Sequence, residues 1–231
     1  ANITLTGASA KLYVAENNTI NTVSGGGGIH IQSDNTLTVN DISSHTGKVK
    51  GQGDIVITGS HTIGAFIDTS DSTQDNINTR ISGSGTTVTL GSSNVLPDDE
   101  DLTVENSATL ELNSQTDTVR DVNLTAGTIQ GGTITATRNH NVKSGTVASN
   151  SALAGSAALV KTTSDTVTLA GTNTYTGDTT VTTGALTVTG SIASSSNVTV
   201  NGGTLNLNND DALKTTANVD VSSGSMNVNN D

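Results

Sequence analysis

Residues 166–188 read TVTLAGTNTYTGDTTVTTGALTV. Two alternating pairs, Val167/Leu169 and Leu186/Val188, bracket a polar segment carrying Gly171, Asn173, Tyr175 and Gly177. Apolar residues at a period of two mark a strand with one buried face. The end of the stretch recurs as Gly184-Ala-Leu186-Thr-Val188, then Gly203-Thr-Leu205-Asn-Leu207, then Gly224-Ser-Met226-Asn-Val228. The steps are 203 − 184 = 19 and 224 − 203 = 21. A unit of this size cannot bury its apolar face alone and must stack on its neighbours, so the repeat predicts a solenoid.

The pattern extends outward from this stretch. Apolar pairs recur at Ile3/Leu5, Ile29/Ile31, Leu37/Val39, Ile55/Ile57, Val88/Leu90, Leu102/Val104, Leu110/Leu112, Val122/Leu124, Val198/Val200 and Val219/Val221, each beside Gly, Asn, Asp or Ser. That is the pattern of short strands punctuated by turns. The steps Leu102 to Val122, Val122 to Val142, Leu110 to Ile129 and Val198 to Val219 are 20, 20, 19 and 21. The expected fold is all-β: a right-handed parallel β-helix with about 20 residues per coil, the hand following from crossover chirality. Roughly 11 coils at a strand spacing of ~4.8 Å make a rod roughly 50–55 Å long. Residues 1–231 read as a single solenoid segment of a longer protein. Segments 66–80 and 92–101 break the rhythm and read as projecting loops. Residues 151–160 are the one Ala-rich stretch.

Composition agrees. Aromatic residues make up only 1% of the chain: Tyr13, Phe66 and Tyr175. A globular core relies on aromatics for buried area, whereas Val, Ile, Leu and Thr suit strands. There is no cysteine, hence no disulfide and no thiolate metal site. The formal net charge of −12 disfavours nucleic acid and anionic membrane and favours cationic or uncharged partners. No run is long and apolar enough for a transmembrane helix or a signal peptide, and direct membrane insertion by this segment is not expected.

Residues 166–188 resemble the autotransporter-associated β-strand repeat of bacterial type V secreted passengers. Leu169, Gly171, Asn173, Thr174, Tyr175, Thr176, Gly177, Thr179, Val181, Gly184, Leu186 and Val188 fill that pattern. One full copy covers about a tenth of the chain, and the later glycine repeats match its tail. The resemblance implies a Cys-poor β-helical passenger at the cell surface or outside a Gram-negative outer membrane. It also implies a repeat that assists passage and folding and carries no catalytic residue. Physically, Gly171, Gly177 and Gly184 suit turns needing positive φ. Asn173 suits a turn where its side chain bonds neighbouring backbone or stacks on an Asn of the next coil. Tyr175 reads as a packing residue against a turn.

Candidate chemistry is sparse. Asp98, Asp99, Glu100 and Asp101 follow Pro97, and Asp68, Asp71 and Asp75 share the other loop. Such clusters could hold Ca²⁺ or act as a glycosidase pair, but in an acidic chain they read as solvated turns. Asp210 and Asp211 read as a coil corner. β-Helical pectin-degrading enzymes combine clustered Asp with His, Arg and Lys, and Arg138-Asn139-His140 is the nearest basic group. Gly51-Gln-Gly53-Asp54 is one off-register copy of a calcium-binding Gly/Asp motif. His30, His45, His61 and His140 form no HExxH motif or close pair, and no Gly-x-Ser-x-Gly elbow occurs. Thr-x-Thr pairs lack the one-per-coil spacing an ice-binding face needs.

The sequence therefore assigns no catalytic residue, no metal ligand and no cofactor, does not read as an enzyme, and leaves the binding residues unassigned. The leading expectation is an adhesin. Its outer Thr/Asn/Ser ladders or its loops would mediate self-association, or attachment to a host-surface protein or glycan. The alternatives are a passive stalk presenting a distal domain and a β-helix carbohydrate-active enzyme.

Overall fold

The computed structural model describes residues 1–64 and 77–229. Among them there are strands and turns but no helix, and every pairing between strands is parallel. Eighteen strands join into one continuous winding sheet. Three more, Lys11–Val14, Gly28–Ile31 and Val49–Gly51, form a separate face near the N-terminus. The solenoid and its period of about 20 residues are thus present as expected.

The core is a set of inward columns. One runs Val88, Leu110, Ile129, Val147, Leu169, Val188, Leu207, Val228, one residue per coil. A second runs Leu37, Ile55, Thr79, Leu102, Val122, His140, Leu159, Thr179, Val198, Val219. Alternation along each strand puts these residues on the inward face and Thr, Asn and Asp mostly outside; the last member of each column, Val228 and Val219 on the terminal strand Asn218–Val228, is exposed. The registers Leu102–Val122, Leu110–Ile129 and Val198–Val219 are those expected. The step Val122 to Val142 is not: Val122 pairs with His140 and Leu124 pairs with Val142. The coil between the strands Thr116–Gln130 and Thr133–Val147 is short from its start, where Thr116 pairs with Thr133; a bulge between Val119 and Asp121 adds one residue back, and the resulting register brings a histidine into an apolar column.

Other polar residues also enter the inward columns. Thr79 and Thr179 share the His140 column. Lys161 stands between Val142 and Val181 in the neighbouring one. Asp117 stands beside Ile134, which in turn pairs with Leu153. All are buried. The Lys161 ammonium donates to the carbonyls of Thr163 and Thr183, so its stem replaces an aliphatic side chain while its head reaches a turn.

The repeat at 166–188 departs from expectation at two of its glycines. Gly184 does lie at positive φ, +69°. Gly171 and Gly177 do not; they are glycine because a Cβ there would overlap the carbonyl oxygens of Ser151 and Ala157 on the preceding coil. Asn173 is buried and acts as an internal bracket. Its Oδ1 accepts from Leu153 N at 3.0 Å and its Nδ2 donates to the Gly171 and Ser191 carbonyls at 2.9 and 3.1 Å. It therefore bonds backbone on both neighbouring coils and stacks on no Asn. Tyr175 is a packing residue, fully buried. Its hydroxyl lies 2.8 Å from Thr179 Oγ1, which donates to Ser195 Oγ at 3.0 Å, and Ser195 donates to Gly177 O at 2.9 Å. Because the Thr179 and Ser195 protons are used onward, Tyr175 is the donor at the head of this chain.

Two expectations need correction. Of the loop expected at 66–80, residues 66–76 lie outside the described residues, while Asn78–Ser82 is a strand whose Thr79 and Ile81 face inward. The loop expected at 92–101 has no regular structure up to Glu100, but it does not simply project. Val95 and Leu96 are buried, and their backbone N–H groups approach Asp117 Oδ2 at 2.8 and 3.4 Å. The Ala-rich stretch contributes the strands Ala152–Ala154 and Ala158–Lys161.

Candidate functional site

The outer faces carry two kinds of polar surface. The first is a strip over the strands Asp54–Ile57, Asn78–Ser82, Asp101–Glu105 and their neighbours. It forms a shallow depression of about 330 Å³ lined by Asp54, Asn78, Arg80, Asp101, Glu105 and Lys143, among others. Its groups satisfy one another. Asn78 donates to Asp54 at 2.9 Å, Arg80 pairs with Glu105 at 2.6 Å, and Arg120 pairs with Asp101 at 2.9 Å and Glu100 at 3.5 Å. Arg138 pairs with Asp121. All three arginines of the chain are therefore engaged by carboxylates of adjacent coils.

These pairs relocate the acidic residues of the loop. Glu100, expected in a solvated turn, is only 3% exposed. Burial pushes its carboxyl above the usual range, and Arg120 partly offsets this. Asp98 is also pushed up, by burial and then by Asp99. Among the described residues no three His, Cys, Asp or Glu side chains gather at metal-binding distance. Arg138 and His140, the basic residues nearest to a catalytic grouping, point apart: Arg138 is exposed and His140 is buried. Asp68, Asp71 and Asp75 lie outside the described residues.

The second surface is on the three-stranded face near the N-terminus. Register places Tyr13, His30 and Lys50 in one outward row, and Lys11, Gly28 and Lys48 in the next. Inward residues of the same strands, Val14, Ile29, Ile31 and Val49, anchor them to the core. Tyr13 is 59% exposed and packs against His30, ring centroids 5.7 Å apart at 54°. Together with Ala8 these residues line a depression of about 290 Å³. A second depression of about 320 Å³, lined by Gln32, Ser33, Gly51 and Gln52, meets the first at His30. Gly51 belongs here for backbone reasons: it lies at φ +118°, and a Cβ would overlap the Ile31 carbonyl. Gly28 leaves a gap because it has no side chain; a Cβ there meets only ordinary contact with the Lys48 carbonyl, at 3.8 Å.

Three of the six lysines meet at this one spot. The cluster combines an exposed aromatic face, ammonium groups and a glycine floor. Sequence reading missed it, although the signal is there. Lys11-x-Tyr13, Gly28-x-His30 and Lys48-x-Lys50 fall 17 and then 20 residues apart, one coil each.

Comparison with protein-family models, curated proteins and solved structures found no match for the chain.

Proposed function

We propose that the chain is an adhesive rod displayed on a bacterial surface, the passenger type that its 166–188 repeat resembles. The observation that carries this reading is the in-register outer face of a parallel solenoid. In several places the outer polar residues of one coil bond their equivalents on the next. Asn21 donates to Asn2 at 3.0 Å, Asn206 to Thr187 at 3.3 Å, Asn227 to Asn206 at 2.8 Å and Asn229 to Asn208 at 3.0 Å. Such ladders present similar groups at about 4.8 Å intervals. Weak contacts repeated along a rod add through effective concentration. The Tyr13 face adds a concave, chemically distinct spot, which a passive stalk has no need of.

The test is display of this segment on a cell that lacks it, with assays of clumping and of attachment to host cells and glycan-coated surfaces. The adhesive reading expects a gain in at least one. Unchanged behaviour in all of them would leave the stalk as the better account.

A further inference from the structure

Resting on that adhesive reading, we infer that the Tyr13 face binds an oligosaccharide containing a carboxylated sugar ring. The ring would sit in the gap over Gly28, stacked on Tyr13. The next sugar would cross His30 into the depression lined by Gln32, Ser33 and Gln52.

Each part of the site matches a part of that ligand. The C–H face of a pyranose is apolar and slightly positive, and it stacks on the electron-rich face of an aromatic ring. Tyr13 is the described aromatic with its face in solvent, and its contact with His30 holds the ring. Lys11 is exposed at one wall of the Gly28 gap, and Lys48 stands at the other, two strand spacings or about 10 Å away. A carboxylate on the stacked ring lies within reach of the Lys11 ammonium. Lys48 and Lys50 each have a further interaction of their own; they add positive potential, and Lys11 makes the direct contact. Glutamine amides and a serine hydroxyl on the far side of His30 offer donors and acceptors for neutral sugar hydroxyls. The first depression, about 290 Å³, lies at the small end of ligand clefts, which suits one sugar ring better than a peptide side. Its open shape lets a chain pass through. A nucleic acid would also stack on Tyr13, but its unbroken row of phosphates calls for a row of cations along the strand, and this face offers one short cluster of three lysines.

The chain itself supplies a readout. It has two tyrosines and no tryptophan, and Tyr175 is fully buried, so a ligand-dependent change in tyrosine fluorescence reports Tyr13. The purified 231-residue chain is titrated with a hexasaccharide of alternating glucuronate and N-acetylglucosamine, with a neutral N-acetylglucosamine hexamer, and with oligothymidylate. Calorimetry is run in parallel. The expected order is acidic hexasaccharide ahead of the other two. Tyr13→Ala weakens calorimetric binding about tenfold or more, the loss expected for an aromatic anchor. Lys11→Gln reduces the preference for the acidic over the neutral sugar to near unity while retaining neutral binding. Gly28→Glu fills the gap with a carboxylate and abolishes binding; Gly28→Ala, sterically mild, keeps the fold and reports any general damage.

Equal binding of acidic and neutral sugars, preference for the oligonucleotide, or indifference to Tyr13→Ala would overturn the inference. The two readings fail separately. If cells displaying the chain still clump or attach but the acidic hexasaccharide does not bind, the glycan site falls and adhesion stands. If the sugar binds with the expected variant pattern but no assay shows adhesion, the adhesive reading falls and the site stands.

Discussion

Replacing His140 by Leu should make the rod more resistant to acid, by an amount the structure sets. His140 is fully buried between Val122 and Leu159 and packs at a tilt against Tyr175, centroids 5.5 Å apart. Its Nε2–H donates to the Ala154 carbonyl at 3.0 Å, which leaves Nδ1 as the acceptor, with no partner among the described residues. Burial lowers its pKa from 6.5 to about 4, against smaller opposing effects from the Ala154 carbonyl and Asp121. Because the folded pKa is depressed, the unfolded chain takes up the proton first as pH falls below 6.5. The neutral imidazole thus contributes stability that is complete near neutral pH and is lost between about 6.5 and 4. Linkage gives a loss of about 2 kcal/mol by pH 5 and about 3 kcal/mol by pH 4. A leucine suits the apolar column and does not titrate. Urea denaturation of wild type and His140→Leu at pH 7, 6, 5 and 4.5 measures the difference. At pH 7 the two should agree to within about 1 kcal/mol, since the lost hydrogen bond and ring contact offset the gain in apolar burial. By pH 5 the variant should lead by a further 2 kcal/mol or so. A difference that is the same at every pH would refute the argument, because it would mean that His140 titrates alike in the folded and unfolded chain.

Asp117 should act with the opposite sign. Burial raises its pKa from 3.8 to about 6 despite hydrogen bonds from the N–H groups of Val95, Leu96 and Thr118, so its contribution is complete below 3.8 and lost as pH rises through 6. Asp117→Asn should gain on wild type by up to about 3 kcal/mol between pH 4 and 7, measured by the same unfolding series; a parallel offset would count against it. Asn173→Ala removes three hydrogen bonds to backbone, two of them to neighbouring coils, and should cost about 2–4 kcal/mol in midpoint-derived stability, whereas a cost under about 0.5 kcal/mol would mean water replaces it freely. Gly171→Ala should lower the melting temperature sharply and Gly28→Ala hardly at all, since only the first drives a Cβ into a carbonyl. Affinity for the acidic hexasaccharide should peak at intermediate salt; a monotonic rise with salt would mean that the lysines contribute no attraction.

The solenoid was legible because inward columns impose a spacing that sequence displays directly: Gly184, Gly203 and Gly224 sit in successive coils as the steps implied. What did not show was where the period slips. The Val122-to-Val142 step failed because this coil starts short, Thr116 pairing with Thr133, and the bulge that follows restores only one residue, so Val122 meets His140. Polar core residues were equally hidden. His140, Lys161 and Asp117 look like surface residues until register places them in apolar columns, and Glu100 looks solvated until Arg120 folds over it. The Tyr13 cluster escaped for a different reason. Its members are dispersed as pairs, and no pair is a motif; they form a surface only after coils are aligned.

Net charge and the glycan site proposed at the Tyr13 face are compatible, because net charge is a long-range quantity and the proposed contact is short-range. A formal charge of −12 predicts repulsion of acidic partners. Yet the Debye length is about 8 Å at physiological ionic strength, shorter than two strand spacings. Carboxylates several coils away are screened from a ligand over Gly28, while the Lys11 ammonium in contact with it is not. The arginines do not compete for such a ligand, since each is closed by a carboxylate of an adjacent coil. At about 0.01 M salt the Debye length grows to about 30 Å and the acidic rod is felt as a whole. At about 1 M it falls to about 3 Å and even the lysine contact weakens. An acidic glycan should therefore be held best between these limits, where the rod's overall charge is hidden and its one cationic cluster is not.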